Sequence, residues 1–147
     1  MLRVYDDTYF MRQALKQAEL AAAAGEIPVG AVVVAGERII ARGYNETERL
    51  SDVTAHAEII ALTAAANHLG DKYLRDCTLY VTLEPCPMCA GALAWAQTSR
   101  IVYGASDDKR GFMRFGRELL HPRTVLEFGV LHDECAALVT NFFRQRR

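Results

Sequence analysis

Two short segments of the chain contain residues of the types that bind metals and move protons. The first contains His56 and Glu58, and the second contains Cys86 and Cys89 in a Cys-x-x-Cys spacing. One imidazole and two thiolates form a donor set that suits tetrahedral Zn²⁺. Three protein ligands leave the fourth position open, as in catalytic rather than structural zinc sites. The pattern therefore predicts a zinc centre that can activate water.

Glu58 is the candidate general acid/base. In the middle of a helix, a separation of two residues would point the side chains of His56 and Glu58 apart. At the first turn of a helix, both side chains can reach beyond the helix end. A carboxylate beside an activated water can accept a proton and pass it to a leaving group. A helix N-terminus also favours the thiolate form of Cys86 and Cys89.

Each segment alone has a simpler interpretation. An isolated Cys-x-x-Cys is as often a redox pair or half of a structural zinc site, and an isolated histidine at a helix start usually makes structural hydrogen bonds. Their joint occurrence as His-x-Glu and Pro-Cys-x-x-Cys is the signature of the zinc deaminases. A structural zinc would need a fourth ligand, and none of the candidates has a motif-like spacing. These candidates are Cys77, Cys135, His68, His121 and His132. We expect core positions for the two cysteines and exposed or capping positions for the three histidines.

Length and composition are typical of one compact domain, residues 1–147. The chain is 51% hydrophobic and 24% charged, and its formal net charge is −1, which excludes a dominant basic surface for nucleic acid. No apolar run approaches the roughly 20 residues of a membrane-spanning helix. The first ten residues include acidic ones where a signal peptide would be basic. We therefore expect a soluble, cytoplasmic protein with no membrane association.

Helical and strand patterns alternate along the chain. Helical apolar spacing and runs of β-branched residues define the elements, with Asp7 or Thr8 as the first helix cap and Thr54 as the second. The predicted helices are 7–24, 55–69, 88–96 and 133–144, and the predicted strands are 29–34, 38–44, 78–82, 100–104 and 124–128. This order favours an α/β fold of three layers, with a mixed five-stranded sheet and helices on both faces.

The sequence resembles the bacterial tRNA adenosine deaminases of the cytidine-deaminase superfamily over nearly its whole length. The matching motifs include Ile-Pro-Val-Gly-Ala-Val at 27–32, Gly-Tyr-Asn at 43–45, Thr-Ala-His-Ala-Glu at 54–58, Thr-Leu-Glu-Pro-Cys at 82–86 and Met-Cys-Ala-Gly-Ala at 88–92. The resemblance implies the three-layer α/β/α cytidine-deaminase-like fold. It also implies hydrolytic deamination of adenosine to inosine at the wobble position of a tRNA anticodon loop. His56, Cys86 and Cys89 would hold one zinc ion per subunit, and Glu58 would move the proton.

The resemblance further implies contacts with the target nucleotide. Asn45 matches an asparagine that contacts the nucleoside, and its amide can both donate and accept. Asp107 matches a position near the RNA backbone, where a carboxylate could accept from a ribose 2′-hydroxyl. The segment 27–31 would lie near the flipped base, with Gly30 and Ala31 permitting close approach. A turn at Asn45, solvation of Asp107 and strand packing of 27–31 are alternatives that the residues leave open. The predicted substrate-binding residues are Asn45, Val29, Ala57, Pro85 and Asp107.

Basic and aromatic residues are concentrated towards the C-terminus. Between Arg100 and Arg123 there are six basic and three acidic residues, and three arginines occupy the last four positions. Phenylalanines are interleaved at 112, 115, 142 and 143, a composition typical of sites that neutralise phosphates and stack bases. Burial in the core or a subunit interface would explain these phenylalanines equally well. The candidate RNA contacts are Lys109, Arg110, Arg144 and Phe143.

The resemblance implies two partners, the anticodon stem-loop of a tRNA and a second copy of the chain in a homodimer. The segment from Arg110 to Arg123 is shorter and richer in arginine and phenylalanine than the family pattern, so we expect it to contact RNA differently. One alternative is a deaminase of a free nucleobase or nucleoside, such as guanine or cytosine or cytidine. Another is a non-catalytic, zinc-stabilised RNA-binding module.

Overall fold

The computed structural model describes residues 5–146 as a five-stranded sheet with helices on both faces. The elements in chain order are α1 (Asp7–Ala23), β1 (Gly30–Ala35), β2 (Arg38–Tyr44), α2 (Ala57–Leu69), β3 (Cys77–Leu83), α3 (Pro87–Trp95), β4 (Arg100–Ala105), β5 (Val125–Phe128) and α4 (His132–Gln145). Every predicted helix and strand is present, with ends that differ from the prediction by at most two residues. No helix within the described residues is both long enough and apolar enough to cross a membrane.

The sheet is mixed, with the strand order β2-β1-β3-β4-β5. β1 runs antiparallel to β2 and β3, whereas β3, β4 and β5 are parallel. The β1–β2 hairpin turns through Gly36, whose φ of 64° is readily adopted only by glycine. Because of these directions, the carboxyl ends of β2, β3 and β4 meet the start of β1 at one edge of the sheet. That edge is where ligands bind in open α/β sheets.

The two faces of the sheet bury separate apolar clusters. Successive strand residues point to opposite faces, so Ala31 and Val33 of β1 pack in one cluster and Val32 and Val34 pack in the other. The first cluster includes residues of α2 and α3, and the second includes residues of α1 and α4. The structure therefore confirms the predicted three layers.

Two glycines let helices approach the sheet closely. A Cβ at Gly30 would lie 2.2 Å from the carbonyl oxygen of Ala14 in α1, and a Cβ at Gly43 would lie 2.7 Å from the carbonyl oxygen of Ala57 in α2. Gly30 therefore faces a helix, and Ala31 lies in the core beneath α2. The small size of Gly30 and Ala31 thus accommodates packing, in agreement with the alternative of strand packing for the segment 27–31.

Helix α1 begins at Asp7 as predicted, but its N-cap lies one residue before the two predicted caps. Asp6 is the N-cap, and its Oδ1 accepts a hydrogen bond from the backbone N–H of Tyr9 at 2.9 Å. Asp7 and Thr8 are therefore helical residues. An acidic N-cap satisfies a free N–H of the first turn and complements the helix dipole.

The long connection from β4 to β5 contains two short 3-10 helices, Phe112–Arg114 and Arg117–Leu119, where the sequence predicts only a loop. Phe112 anchors this connection because its side chain is completely buried and packs edge-to-face on Tyr103, with 6.3 Å between ring centroids. Phe112 is thus a core residue and cannot stack on RNA.

Candidate functional site

The first turns of α2 and α3 bring the predicted metal ligands together. His56 is the N-cap of α2 and Cys86 is the N-cap of α3, each with extended backbone. Neither side chain makes a capping hydrogen bond to its helix, and both belong to the cluster between the helices. Thr54, the predicted cap of α2, instead donates its hydroxyl to Asp52 Oδ1 at 2.7 Å. The cap prediction is wrong because the capping position belongs to a ligand.

The spacing of the three ligand atoms fits zinc. His56 Nδ1 lies 3.7 Å from Cys86 Sγ and 3.5 Å from Cys89 Sγ, and all three atoms lie within 4.8 Å of one another. Tetrahedral zinc with bonds of about 2.3 Å to sulfur and about 2.0 Å to nitrogen would separate N and S by roughly 3.6 Å. The three side chains could therefore bind one zinc ion without rearrangement.

The other cysteines and the remaining histidines lie apart from this cluster. Cys77 and Cys135 are free, buried thiols in the two apolar clusters, as the sequence predicts. His68 and His132 are exposed, and His121 Nδ1 accepts from the backbone N–H of Arg123 at 3.1 Å. Within residues 5–146, the metal-binding group contains only His56, Cys86 and Cys89. A structural site with four protein ligands therefore does not form from the described residues.

In the metal-free protein the two cysteines of the cluster share a proton. The pKa of Cys86 is lowered to about 4, because the Cys89 thiol donates to its sulfur and His56 lies beside it. The pKa of Cys89 is raised, because its proton bonds Cys86 and because its side chain is buried. The pair therefore supplies one thiolate and one thiol, and zinc binding would release the remaining proton.

Glu58 is the second residue of α2 and is only 4% exposed. Burial raises the pKa of its carboxyl to about 7, although its own backbone N–H and nearby His56 favour the charged form. A group with a pKa near 7 can both accept and return a proton at neutral pH. Position and environment thus suit Glu58 to proton transfer.

A cavity of about 970 Å³ opens above the cluster. We call His56, Ala57, Glu58 and Cys86 its floor. We call the lining residues of 45–47, of 105–110 and of α4 its wall. Of the predicted substrate and RNA residues, Val29, Asn45, Ala57, Asp107, Lys109, Arg110 and Phe143 line the cavity. Pro85 is buried outside the lining, and Arg144 is exposed outside it.

Asn45 carries an unused acceptor in the wall. Asn45 is only 6% exposed, and its Nδ2 donates to the Ile27 carbonyl oxygen at 3.4 Å. Its buried Oδ1 has no hydrogen-bond partner. Buried polar atoms are nearly always satisfied, so an unpaired acceptor on a residue that lines the cavity is suited to a donor on a ligand.

Half of the predicted basic cluster is engaged within the chain. Arg100 pairs with Asp7 at 2.7 Å and with Glu127 at 3.0 Å. Arg114 donates to the Lys109 carbonyl oxygen, and Arg117 donates to that of Thr124. Lys109 and Arg110 are exposed and line the cavity. Within this basic cluster, Lys109 and Arg110 are therefore the cations that the cavity presents to a ligand.

Two buried glutamates brace the cavity, and sequence reasoning missed both. Glu26 accepts from the backbone N–H groups of Glu48 at 3.0 Å and Arg49 at 2.8 Å. Glu84 accepts from those of Asp107 and Met113, each at 3.0 Å. The available signal was an isolated acidic residue beside an apolar run, in Gly-Glu-Ile-Pro and Leu-Glu-Pro. Such residues are costly to bury unless they have partners.

Comparison with known proteins is consistent with this geometry. Residues 5–147 match the model of the MafB19-like deaminase family. A tRNA-specific adenosine deaminase of Streptococcus pyogenes serotype M18 is 42% identical over 97% of this chain and 92% of its own length. A solved structure from work on A-to-I editing by tRNA:A34 deaminases at the wobble position of transfer RNA superposes with a TM-score of 0.84. It is 42% identical and covers 89% of this chain and 99% of the other.

A guanine deaminase from Nitrosomonas europaea has the same fold. Its TM-score is 0.81 at 25% identity, covering 96% of this chain and 86% of that protein. Its identity to this chain is therefore well below the 42% of the tRNA-specific relative. The chain belongs to the MafB19-like deaminase family and, within it, to the tRNA-specific adenosine deaminases.

Proposed function

We propose that this protein is a zinc-dependent hydrolase that converts adenosine to inosine at the wobble position of a tRNA anticodon loop. The observation that carries the proposal is the joint presence of the His56, Cys86 and Cys89 cluster and the buried Glu58 on the floor of one cavity. The identity of 42% to a tRNA-specific adenosine deaminase supports the substrate. The proposal includes a cytoplasmic location.

His56 Nδ1, Cys86 Sγ and Cys89 Sγ would hold one zinc ion per subunit. Bound zinc would supply a Lewis acid that allows water to attack at neutral pH. Deamination forms a C–O bond at C6 of adenine and breaks the C–N bond, so a proton must travel from water to the departing ammonia. Glu58 carries that proton, because its buried carboxyl lies on the floor beside the metal ligands, within reach of a water activated there.

The cavity is suited to a single nucleotide turned out of its stack. Its volume of about 970 Å³ lies at the upper end of typical ligand pockets. Val29 and Ala57 supply apolar contact with the base, and Asn45 Oδ1 accepts from a nucleoside hydroxyl or N–H. Asp107 Oδ1 accepts from the backbone N–H groups of Lys109 and Arg110, which leaves Oδ2 to accept from a ribose 2′-hydroxyl.

The exposed residues of the wall bind the RNA that flanks the target nucleotide. Lys109 and Arg110 neutralise phosphates, and Phe143, which is 46% exposed, offers a ring face to a base. Arg144 is exposed near the end of α4 and adds charge beside Phe143. Together these residues form a local footprint for a stem-loop on a chain whose net charge is −1.

A second candidate function is deamination of a free base such as guanine. The shared fold with the guanine deaminase of Nitrosomonas europaea favours this candidate. The exposed Lys109 and Arg110 beside the cavity favour RNA, because a neutral free base needs no phosphate partners. A non-catalytic RNA-binding module would have no use for a buried carboxyl next to the metal ligands.

The chain acts as a homodimer in this proposal. Trp95, at the end of α3, is 86% exposed, and Met88 at the start of α3 is also exposed. Met113 and Phe115, in the β4–β5 connection, are exposed apolar side chains as well. Large exposed apolar side chains on neighbouring elements are typical of subunit interfaces. Sedimentation of Trp95→Glu should give a monomer where the wild type gives a dimer, and an unchanged dimer would contradict this interface.

The function is tested by incubating the zinc-loaded protein with a tRNA whose anticodon begins with adenosine, followed by digestion and detection of inosine. Guanine, cytosine, cytidine and free adenosine are assayed in parallel. We expect inosine from the tRNA and little or no product from the free compounds. Turnover of guanine or cytosine without turnover of tRNA would establish the alternative.

A further inference from the structure

We propose that Glu84 is a positioning residue that fixes the segment 107–113 and thereby shapes the part of the wall that binds RNA. The inference rests on the proposed function, because its consequence for activity is measured with RNA. Glu84 acts through the backbone of this segment, since both of its carboxylate oxygens already accept backbone hydrogen bonds.

Glu84 is buried and bonded to the neighbouring strand. Glu84 directly follows β3 and is 6% exposed, and its backbone N–H donates to the carbonyl oxygen of Ala105 at 2.8 Å. Oε1 accepts from the N–H of Asp107 and Oε2 from that of Met113. One side chain therefore ties both ends of a loop to the edge of the sheet. A buried carboxylate with two N–H donors makes stronger bonds than a neutral acceptor would.

Gly111 shows independently that the loop is wrapped around this carboxylate. A Cβ at Gly111 would lie 1.9 Å from Glu84 Oε2 and 2.6 Å from the carbonyl oxygen of Asp107. The φ of −69° and ψ of 150° at Gly111 are accessible to any residue, so the backbone conformation does not require glycine. Glycine is needed because a Cβ at this position would collide with the Glu84 carboxylate.

The segment between the two tethered amides contains Lys109 and Arg110, two of the exposed cations that line the cavity. Lys109 and Arg110 line the cavity, and their backbone N–H groups bond Asp107 Oδ1 at 3.2 Å and 3.1 Å. Loss of the tether would free Asp107 and both cations to move together. RNA binding would then have to order the loop, which lowers affinity without altering the floor.

The test compares zinc-loaded Glu84→Gln and Gly111→Ala with the wild type on an anticodon stem-loop RNA. Glutamine keeps the size of Glu84 but turns an NH₂ group towards an N–H donor. We expect KM to rise about tenfold, the loss produced by one or two failed hydrogen bonds. Turnover number and zinc content should stay near the wild-type values, and the amides of Asp107 and Met113 should exchange hydrogen faster.

Glu118→Gln is the matched control, because Glu118 is an exposed glutamate on the same β4–β5 connection. It removes one negative charge from the same connection without touching the tether, and its KM should change by less than about twofold. An unchanged KM in both Glu84→Gln and Gly111→Ala would overturn the proposal. So would loss of zinc or of turnover at unchanged KM, since Glu84 would then support the metal centre.

Failure of the proposed function has a different signature. If the wild type forms no inosine from any RNA, that function fails, and hydrogen exchange decides the positioning role by itself. Faster exchange at Asp107 and Met113 in Glu84→Gln then supports the tether, and unchanged exchange overturns it. If Glu84→Gln does not fold, Gly111→Ala provides the same comparison with the carboxylate intact.

Discussion

The floor and the wall of the cavity are built in different ways. The floor residues lie on or next to the first turns of two helices, and Ala57 and Glu58 are buried beneath the site. The wall consists of loops and of α4. Within α4, Cys135 is the one buried residue. Packing against the sheet thus positions the chemical groups, whereas a few hydrogen bonds from buried glutamates position the groups that meet the substrate.

The comparison indicates that catalysis and recognition can be damaged separately. A change in the floor should remove metal or turnover. A change in the wall should alter affinity for RNA and leave the metal in place, because the metal ligands belong to the floor and the exposed cations to the wall.

The largest effect is expected when a metal ligand is removed. His56→Ala should lose stoichiometric zinc and all detectable turnover, because two thiolates alone bind zinc weakly and leave the site unformed. Zinc content by elemental analysis and inosine formation check this result. His68→Ala, which changes an exposed histidine in the same helix, should retain both. Stoichiometric zinc in His56→Ala would contradict the ligand assignment.

The cysteines should differ by orders of magnitude in reactivity once zinc is removed. A pKa of about 4 keeps Cys86 a thiolate down to pH values near 4, whereas burial raises the pKa of Cys135 to about 12 and keeps it a thiol. In the metal-free protein, iodoacetamide should therefore modify Cys86 at pH 6 and leave Cys135 unmodified at pH 9. Mass spectrometry of peptides identifies the labelled site.

Zinc should abolish the labelling of Cys86. Equal labelling of Cys86 and Cys135 in the metal-free protein would contradict the electrostatic difference between the site and the core. Labelling of Cys86 that zinc does not reduce would contradict its role as a ligand.

A smaller effect is expected from the packing that supports the floor. Gly43→Ala places a Cβ 2.7 Å from the carbonyl oxygen of Ala57 and 2.8 Å from the backbone nitrogen of Ala61. We expect the free energy of unfolding to fall by about 1–3 kcal/mol, as for other overpacked sites. Zinc affinity should fall as well, because α2 carries His56 at its start.

Gly91→Ala is the control for this prediction, since nothing lies within 4 Å of a Cβ at Gly91 on α3. Its stability should equal or exceed that of the wild type, because alanine is the better helix former. Denaturant unfolding measures both variants. Equal stability of Gly43→Ala and the wild type would show that α2 can shift without cost.

The smallest effects belong to the wall. Lys109→Ala and Arg110→Ala should each weaken RNA binding several-fold and reduce the salt slope of binding by about one, the value for one lost phosphate contact. Zinc content and stability should not change. Lys16→Ala, an exposed change on α1 outside the cavity lining, should leave both affinity and salt slope unaltered. Identical salt slopes in all three variants would show that Lys109 and Arg110 make no contact with RNA phosphates.

The sequence predicted the floor more completely than the wall, for a physical reason. Metal ligands need particular residue types at particular spacings, and helices and strands have periodic apolar patterns, so both leave local signals. The ligands His56, Cys86 and Cys89 and the mixed three-layer sheet were therefore predictable. The N-cap of α2 was not, because Thr54 suits a cap locally and the ligand role of His56 overrides that preference.

Features that depend on contacts between residues far apart in the chain could not be predicted from the sequence. Glu84 meets its partners 23 and 29 residues later in the chain, and no local pattern specifies those pairings. Composition alone could not separate buried Phe112 from exposed Phe143. Nor could it show that Arg100 is held by Asp7, 93 residues away, rather than free to meet a phosphate.

Glu58→Ala tests most directly whether the chemistry belongs to the floor. The zinc-loaded variant is assayed together for metal content, affinity for the adenosine-first stem-loop and inosine formation. We predict one zinc per chain, RNA affinity within about twofold of wild type, and turnover reduced by at least about 10²-fold, the usual contribution of a general acid/base. Inosine formation at the wild-type rate with zinc retained would contradict the account.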